Sequence, residues 1–126
     1  NEIEHARRAR QGCNGSLVLA AAGLLDGLTA TTHWGALDVL TEYGALATGG
    51  RVVEHLDQRI ITAAGVSSGI DMALRLVEIL FDRVAAEASQ LMIEYDPQPP
   101  FDAGSTTKAS DEVVGRVIET PGTASE

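Results

Sequence analysis

Residues 12–16 read Gly-Cys-Asn-Gly-Ser and run directly into Leu17-Val18-Leu19-Ala20-Ala21-Ala22-Gly23-Leu24-Leu25. Cys13 is the only cysteine in the chain. Small residues around a nucleophile at the start of a helix permit a sharp elbow, with the side chain exposed and backbone N–H groups close by. A helix N-terminus also stabilises negative charge, so a thiol held there ionises below the free-cysteine value of about 8.5. The chemistry suggested is attack by a thiolate on an electrophile. The competing role for a lone cysteine is that of a small buried hydrophobe, and the local pattern leaves both open.

His33 follows Cys13 by twenty residues, just past a β-branched stretch at Thr29-Ala30-Thr31-Thr32. A histidine at the end of that strand is placed to hold a thiolate or relay a proton. Packing or dimer contact by His33 and Trp34 is the weightier alternative. His5 and His55 lie in polar surroundings and are expected to be solvated. Asp38 and Asp71 follow helix-start signals, where a carboxylate complements the helix dipole. Met72, Leu76, Ile79 and Leu80 form a helical stripe expected to be core. Three scattered histidines and one cysteine give no metal-ligand spacing, and Gly49-Gly50 is a turn rather than a phosphate loop. No cofactor is expected.

The elements that must position these residues fit one domain: 126 residues, of which 44% are apolar. Nine basic against eighteen acidic residues give a formal charge of −9, which argues against direct binding of nucleic acid by this segment. One cysteine excludes an intrachain disulfide, and no apolar stretch reaches the roughly 18 residues that a membrane span requires. Without a signal-type leader the expected compartment is the reducing cytosol. The first residue is Asn rather than Met, which fits a processed or incomplete product.

Residues 14–25 are Ala/Leu-rich and apolar nearly all round, which predicts a buried helix stopped by Asp26-Gly27. A strand is expected over Thr29–Thr32, a short helix over Leu37–Tyr43 and a turn over Ala47–Gly50. Arg51–Glu54 and Arg59–Ala63 are two strand candidates, close enough in sequence to pair antiparallel. A long amphipathic helix over Ile70–Phe81 has serines ahead of it as N-cap, and Asp82 is placed to cap the next helix. Pro97, Pro99 and Pro100 forbid regular structure. The division expected is a domain over 1–104 and a flexible polar tail over 105–126.

Four blocks in order carry a family resemblance: Gly12–Gly27 around the cysteine, Ala30-Thr31-Thr32-His33-Trp34, Ile60-Ile61-Thr62-Ala63-Ala64-Gly65-Val66-Ser67-Ser68-Gly69-Ile70-Asp71, and Glu94-Tyr95-Asp96-Pro97-Gln98-Pro99-Pro100-Phe101. Together they resemble the C-terminal half of the ThiJ/PfpI superfamily, in particular its isonitrile hydratase branch and the amidotransferase-like domains fused to AraC-type regulators. The resemblance implies an α/β fold, a flavodoxin-like or class I glutamine-amidotransferase-like sandwich incomplete at its N-terminus, in a homodimer. It implies Cys13 as nucleophile, Gly12 and Gly15 as flanks of the elbow and substrate site, and the Asn14 backbone N–H as donor towards developing charge. His33 joins them as the histidine that several members place near the thiol.

The implied reaction is hydration of a small isonitrile to an N-substituted formamide. A neutral carbon electrophile suits a soft sulfur nucleophile, and charge building on nitrogen must meet a proton donor. Three features depart from the family pattern. The stretch Ala6-Arg7-Arg8-Ala9-Arg10-Gln11 is charged where a buried parallel strand should precede the nucleophile. Asn14 stands where the hydratases carry threonine, and the acidic partner of the thiol belongs to the family's N-terminal half. The expectation is therefore an impaired hydratase in this chain alone, either a piece of a chain of about 200 residues or more or a half completed by a second copy. Other expectations consistent with the elbow are a ligand-sensing domain of an AraC-type regulator without turnover, or a deglycase, glyoxalase or peptidase.

Overall fold

The computed structural model describes the backbone of residues 10–11 and all of residues 15–119. These fall into two compact units divided between Ile93 and Glu94.

The first unit is built around one strand. β5 (Ile60–Ala63) lies between β1 (Arg10–Gln11), parallel to it, and β4 (Val52–His55), antiparallel to it. The antiparallel pair expected from sequence is formed, in the register Val53↔Thr62 and Glu54↔Ile61. Its connection is a 3-10 turn over Leu56–Gln58, closed by Arg59 in the left-handed region at φ 59°. β1 corrects an expectation: the charged stretch ahead of the cysteine does end in a parallel strand, with Gln11 opposite Thr62. Its backbone pairing to a strongly β-forming neighbour outweighs its own composition.

β5 alternates between two cores, as a period of two requires. Ile60 packs against the cluster of Leu19, Ala20, Leu25, Ala30, Leu40 and Ala45. Ile61 and Ala63 pack on the other side with Met72, against Val52 and Leu76. Helices thus cover both faces, the arrangement of an α/β sandwich.

The first core is held by two short helices, α1 (Gly15–Ala21) and α2 (Leu37–Glu42), and a two-stranded parallel sheet of β2 (Thr29–Ala30) and β3 (Leu46–Ala47). α1 stops four residues before the expected end at Leu25. Gly23 takes φ +80°, its N–H reaches Ala20 O at 3.0 Å, and the Leu24 N–H reaches Leu19 O at 3.1 Å. This is a Schellman end, and it returns Leu24 onto the same core as Leu19. α2 ends identically, with Gly44 at φ +92°, Gly44 N–H to Thr41 O at 3.0 Å and Ala45 N–H to Leu40 O at 3.1 Å. The chain then turns straight into β3, so Ala47 is strand rather than turn.

α3 (Ser68–Leu80) and α4 (Arg83–Met92) close the first unit. Asp82 caps α4 as expected, accepting from the Ala85 N–H at 2.7 Å. Ser67 does not cap α3: its hydroxyl accepts instead from Arg51, which also pairs with Asp71. Arg75 on α3 bonds Glu54 at 2.6 Å and also Glu78, and these carboxylates raise the guanidinium above its ordinary value. The stripe expected to be core is so only at Met72 and Leu76, while Ile79 and Leu80 are exposed.

The second unit begins with the proline-rich stretch, which has no regular structure. Beyond it, within the segment expected to be a polar tail, Asp111–Glu119 forms a helix, α5. The Ser110 hydroxyl accepts from the Val113 N–H at its start, and two acidic residues occupy its first turn.

Candidate functional site

Three of the five residues singled out from sequence, Gly12, Cys13 and Asn14, lie outside the described residues. What is described is the frame on either side of them. β1 ends at Gln11 and α1 begins at Gly15, with three residues between them, so a strand hands over to a helix across the cysteine. Gly15 is the first residue of that helix and is half-buried. Ser16, one residue further on, is fully buried.

β2 ends at Ala30, two residues short of the expected Thr32, and His33 follows at the start of a 3-10 turn over Trp34–Ala36. Its Nδ1 accepts a hydrogen bond from the Gly35 N–H at 3.1 Å. A backbone amide can only donate, so Nδ1 is unprotonated and the neutral ring carries its proton on Nε2. Nε2–H is therefore the ring's remaining donor. The ring is half-buried, with its centroid 5.4 Å from that of Trp34 and its Cδ2 close to Gly65, where an added Cβ would stand 3.5 Å away.

The reading of the sequence passed over the buried hydroxyls. Ser16, Thr31, Thr32, Thr62 and Ser68 are each at most 2% exposed. The Thr31 N–H donates to Thr62 Oγ1 at 3.0 Å. Thr62 stands on β5 opposite Gln11 of β1. One strand thus joins the end of the strand that leads to Cys13 to the segment that leads to His33. The available signal was a hydroxyl in the otherwise apolar run Ile60–Ala63, since a buried polar side chain needs a partner.

His55 corrects its expectation of a solvated ring. It is half-buried, and its Nε2 lies 2.8 Å from Thr29 O and 3.0 Å from Thr29 Oγ1, which ties β4 to β2. Its part is architectural. Asp71 pairs with Arg51, so more than the helix dipole holds it. Among the described residues no group of three or more His, Cys, Asp or Glu side chains could hold a metal ion, and no helix is long and apolar enough to cross a membrane.

Comparison with known proteins matches residues 4–79, more than half of the chain, to the DJ-1/PfpI family. An isonitrile hydratase of Pseudomonas putida is 45% identical over 114 residues, which are 90% of this chain and 49% of that protein. The HTH-type transcriptional regulator CdhR of Pseudomonas aeruginosa is 40% identical over 67% of this chain and 23% of its own length. The chain thus spans about half the length of the hydratase and about a quarter of the regulator. Among solved structures, a ThiJ/PfpI family protein from Pseudomonas syringae superposes with a TM-score of 0.79 at 49% identity, over 86% of this chain and 44% of that one. DJ-1 of Schizosaccharomyces pombe shares the fold, with a TM-score of 0.58 at 23% identity over 68% of this chain and 43% of that one.

Proposed function

Because this chain belongs to the DJ-1/PfpI family, we propose that Cys13 is the nucleophile of an isonitrile hydration whose products are N-substituted formamides. The observation that carries the reading is the 45% identity to an isonitrile hydratase along 90% of the chain. In this scheme the Cys13 thiolate attacks the terminal carbon of a small isonitrile, forming a C–S bond. A proton is delivered to that carbon, giving a thioimidate. Water then adds to the same carbon as nitrogen takes a proton, the C–S bond breaks, and formamide leaves with the thiolate restored, the two protons lost by the water oxygen replacing those taken by carbon and nitrogen. Net, one isonitrile and one water become one formamide. The Asn14 N–H is the donor assigned to developing charge. His33 Nε2–H is the side-chain proton donor, with Nδ1 held by Gly35. Gly12 and Gly15 leave room for the substrate beside the sulfur. The reading includes a homodimer and a reducing, cytoplasmic setting that keeps the thiol free.

The test is incubation of the purified chain with an alkyl isonitrile and mass-spectrometric detection of the formamide. Product from the chain, lost in Cys13→Ala, is the expected result. No product from the chain overturns its hydratase activity.

The 40% identity to a transcriptional regulator supports a second reading, a ligand-sensing domain that binds without turnover. Saturable binding of the isonitrile with no formamide formed distinguishes it in the same assay.

A further inference from the structure

We infer that Thr62 is a positioning residue, the strut that sets His33 in place relative to the strand that leads to Cys13. The inference rests on the reading of Cys13 as the reactive residue and adds to it a group that acts through His33.

Two observations meet at β5. Thr62 stands opposite Gln11, the last residue of the strand that ends two positions before Cys13. Its hydroxyl, in a side chain 1% exposed, accepts the Thr31 N–H at 3.0 Å, two positions before His33. Two residues beyond the end of β5, Gly65 lies beside the imidazole, where an added Cβ would stand 3.5 Å from His33 Cδ2. The alternation of β5 places Thr62 on the same face as Ile60, which packs on the core of α1, the helix that follows the cysteine. Thr31 has no strand partner at this point, because β2 ends at Ala30. A side chain thus replaces a ladder hydrogen bond where the chain leaves the sheet to present His33. Every other residue of β5 is apolar, and a valine would fill the volume of Thr62 equally well. The difference is one acceptor for a backbone N–H that would otherwise be buried without one.

The test compares the pH dependence of Cys13 alkylation in the native and denatured 126-residue chain with that in Thr62→Val, Thr62→Ser, His33→Ala and the double variant T62V/H33A. The expected wild-type midpoint lies below that of the denatured chain. Alkylation at neutral pH should fall about tenfold in T62V, the equivalent of one buried hydrogen bond, and T62S should restore it. H33A should lose as much, and T62V should add nothing in the H33A background, because the strut acts through the ring. Losses that add, or a T62V profile that coincides with wild type, overturn the inference while leaving the Cys13 reading intact. A wild-type thiol that titrates as in denaturant overturns the Cys13 reading and this inference together. Should T62V fail to fold, amide exchange in the wild-type chain decides: the Thr31 N–H must be protected as well as the amides of β5, and free exchange at Thr31 overturns the strut.

Discussion

Side chains that look interchangeable in sequence do different work in this chain. Ser67 and Asp82 both precede helices and both belong to the N-capping set. Only Asp82 makes the bond, to the Ala85 N–H, and its extended backbone aims the carboxylate at the open turn. Ser67 has helical φ and ψ of −71° and −23° and no side-chain cap. Asp82→Ala should therefore lower stability by about 1 kcal/mol, with Asp82→Asn largely sparing it. Ser67→Ala gives up one 3.3 Å contact from Arg51 at an exposed site and should cost a few tenths of a kcal/mol. Urea unfolding of the three variants checks the order; equal losses for D82A and S67A would show that the Asp82 cap does not form in solution.

Two glycines set the shape of the first core. At Gly23 and Gly44 the chain enters the left-handed region, and each turn delivers an apolar residue back to the helix it has just left. A side chain at either position meets the backbone cost of that region, about 1 kcal/mol. Gly23→Ala adds little else, since its Cβ would stand 3.9 Å from Asp26, whereas Gly44→Ala would place its Cβ 2.6 Å from Asp26 Oδ1 and displace that carboxylate. Both variants should unfold at lower denaturant, G44A the earlier of the two. Here the limits of the sequence are visible. Strong local signals were legible: the antiparallel pair β4–β5, Asp82 as a cap and the proline break. The early stop of α1 was not, because Asp26-Gly27 is as good a terminator as Gly23 until the core selects which turn returns Leu24. β1 and β3 were hidden for another reason. Each is two residues long and stands by pairing with a neighbour rather than by its own composition. For the site, the family could be read from the motifs, but Thr62 emerges only when β5 is set against Thr31.

At the scale of the molecule, stability and exposed apolar surface are separated. The first core is small and rests on a few fully buried side chains, Leu25 and Leu40 among them. By contrast, Phe81 at the end of α3 and Val84, Leu91 and Met92 on α4 face solvent at 73% exposure or more. A relative twice as long has further chain with which to cover such a surface, and this chain aligns to 49% of the hydratase. In the chain by itself these residues contribute little burial to lose. Leu40→Ala should cost about 2–5 kcal/mol, the range for a core leucine whose site collapses only in part. Leu91→Glu with Met92→Glu should change the unfolding free energy by no more than about 0.5 kcal/mol, as surface substitutions do. The same pair should weaken binding of a hydrophobic dye, because it places charge within the exposed patch. Denaturant unfolding and dye fluorescence on the two variants measure both effects. A large stability loss in L91E/M92E would mean that α4 is covered in solution, and then the oligomeric state of the chain would have to account for the cover.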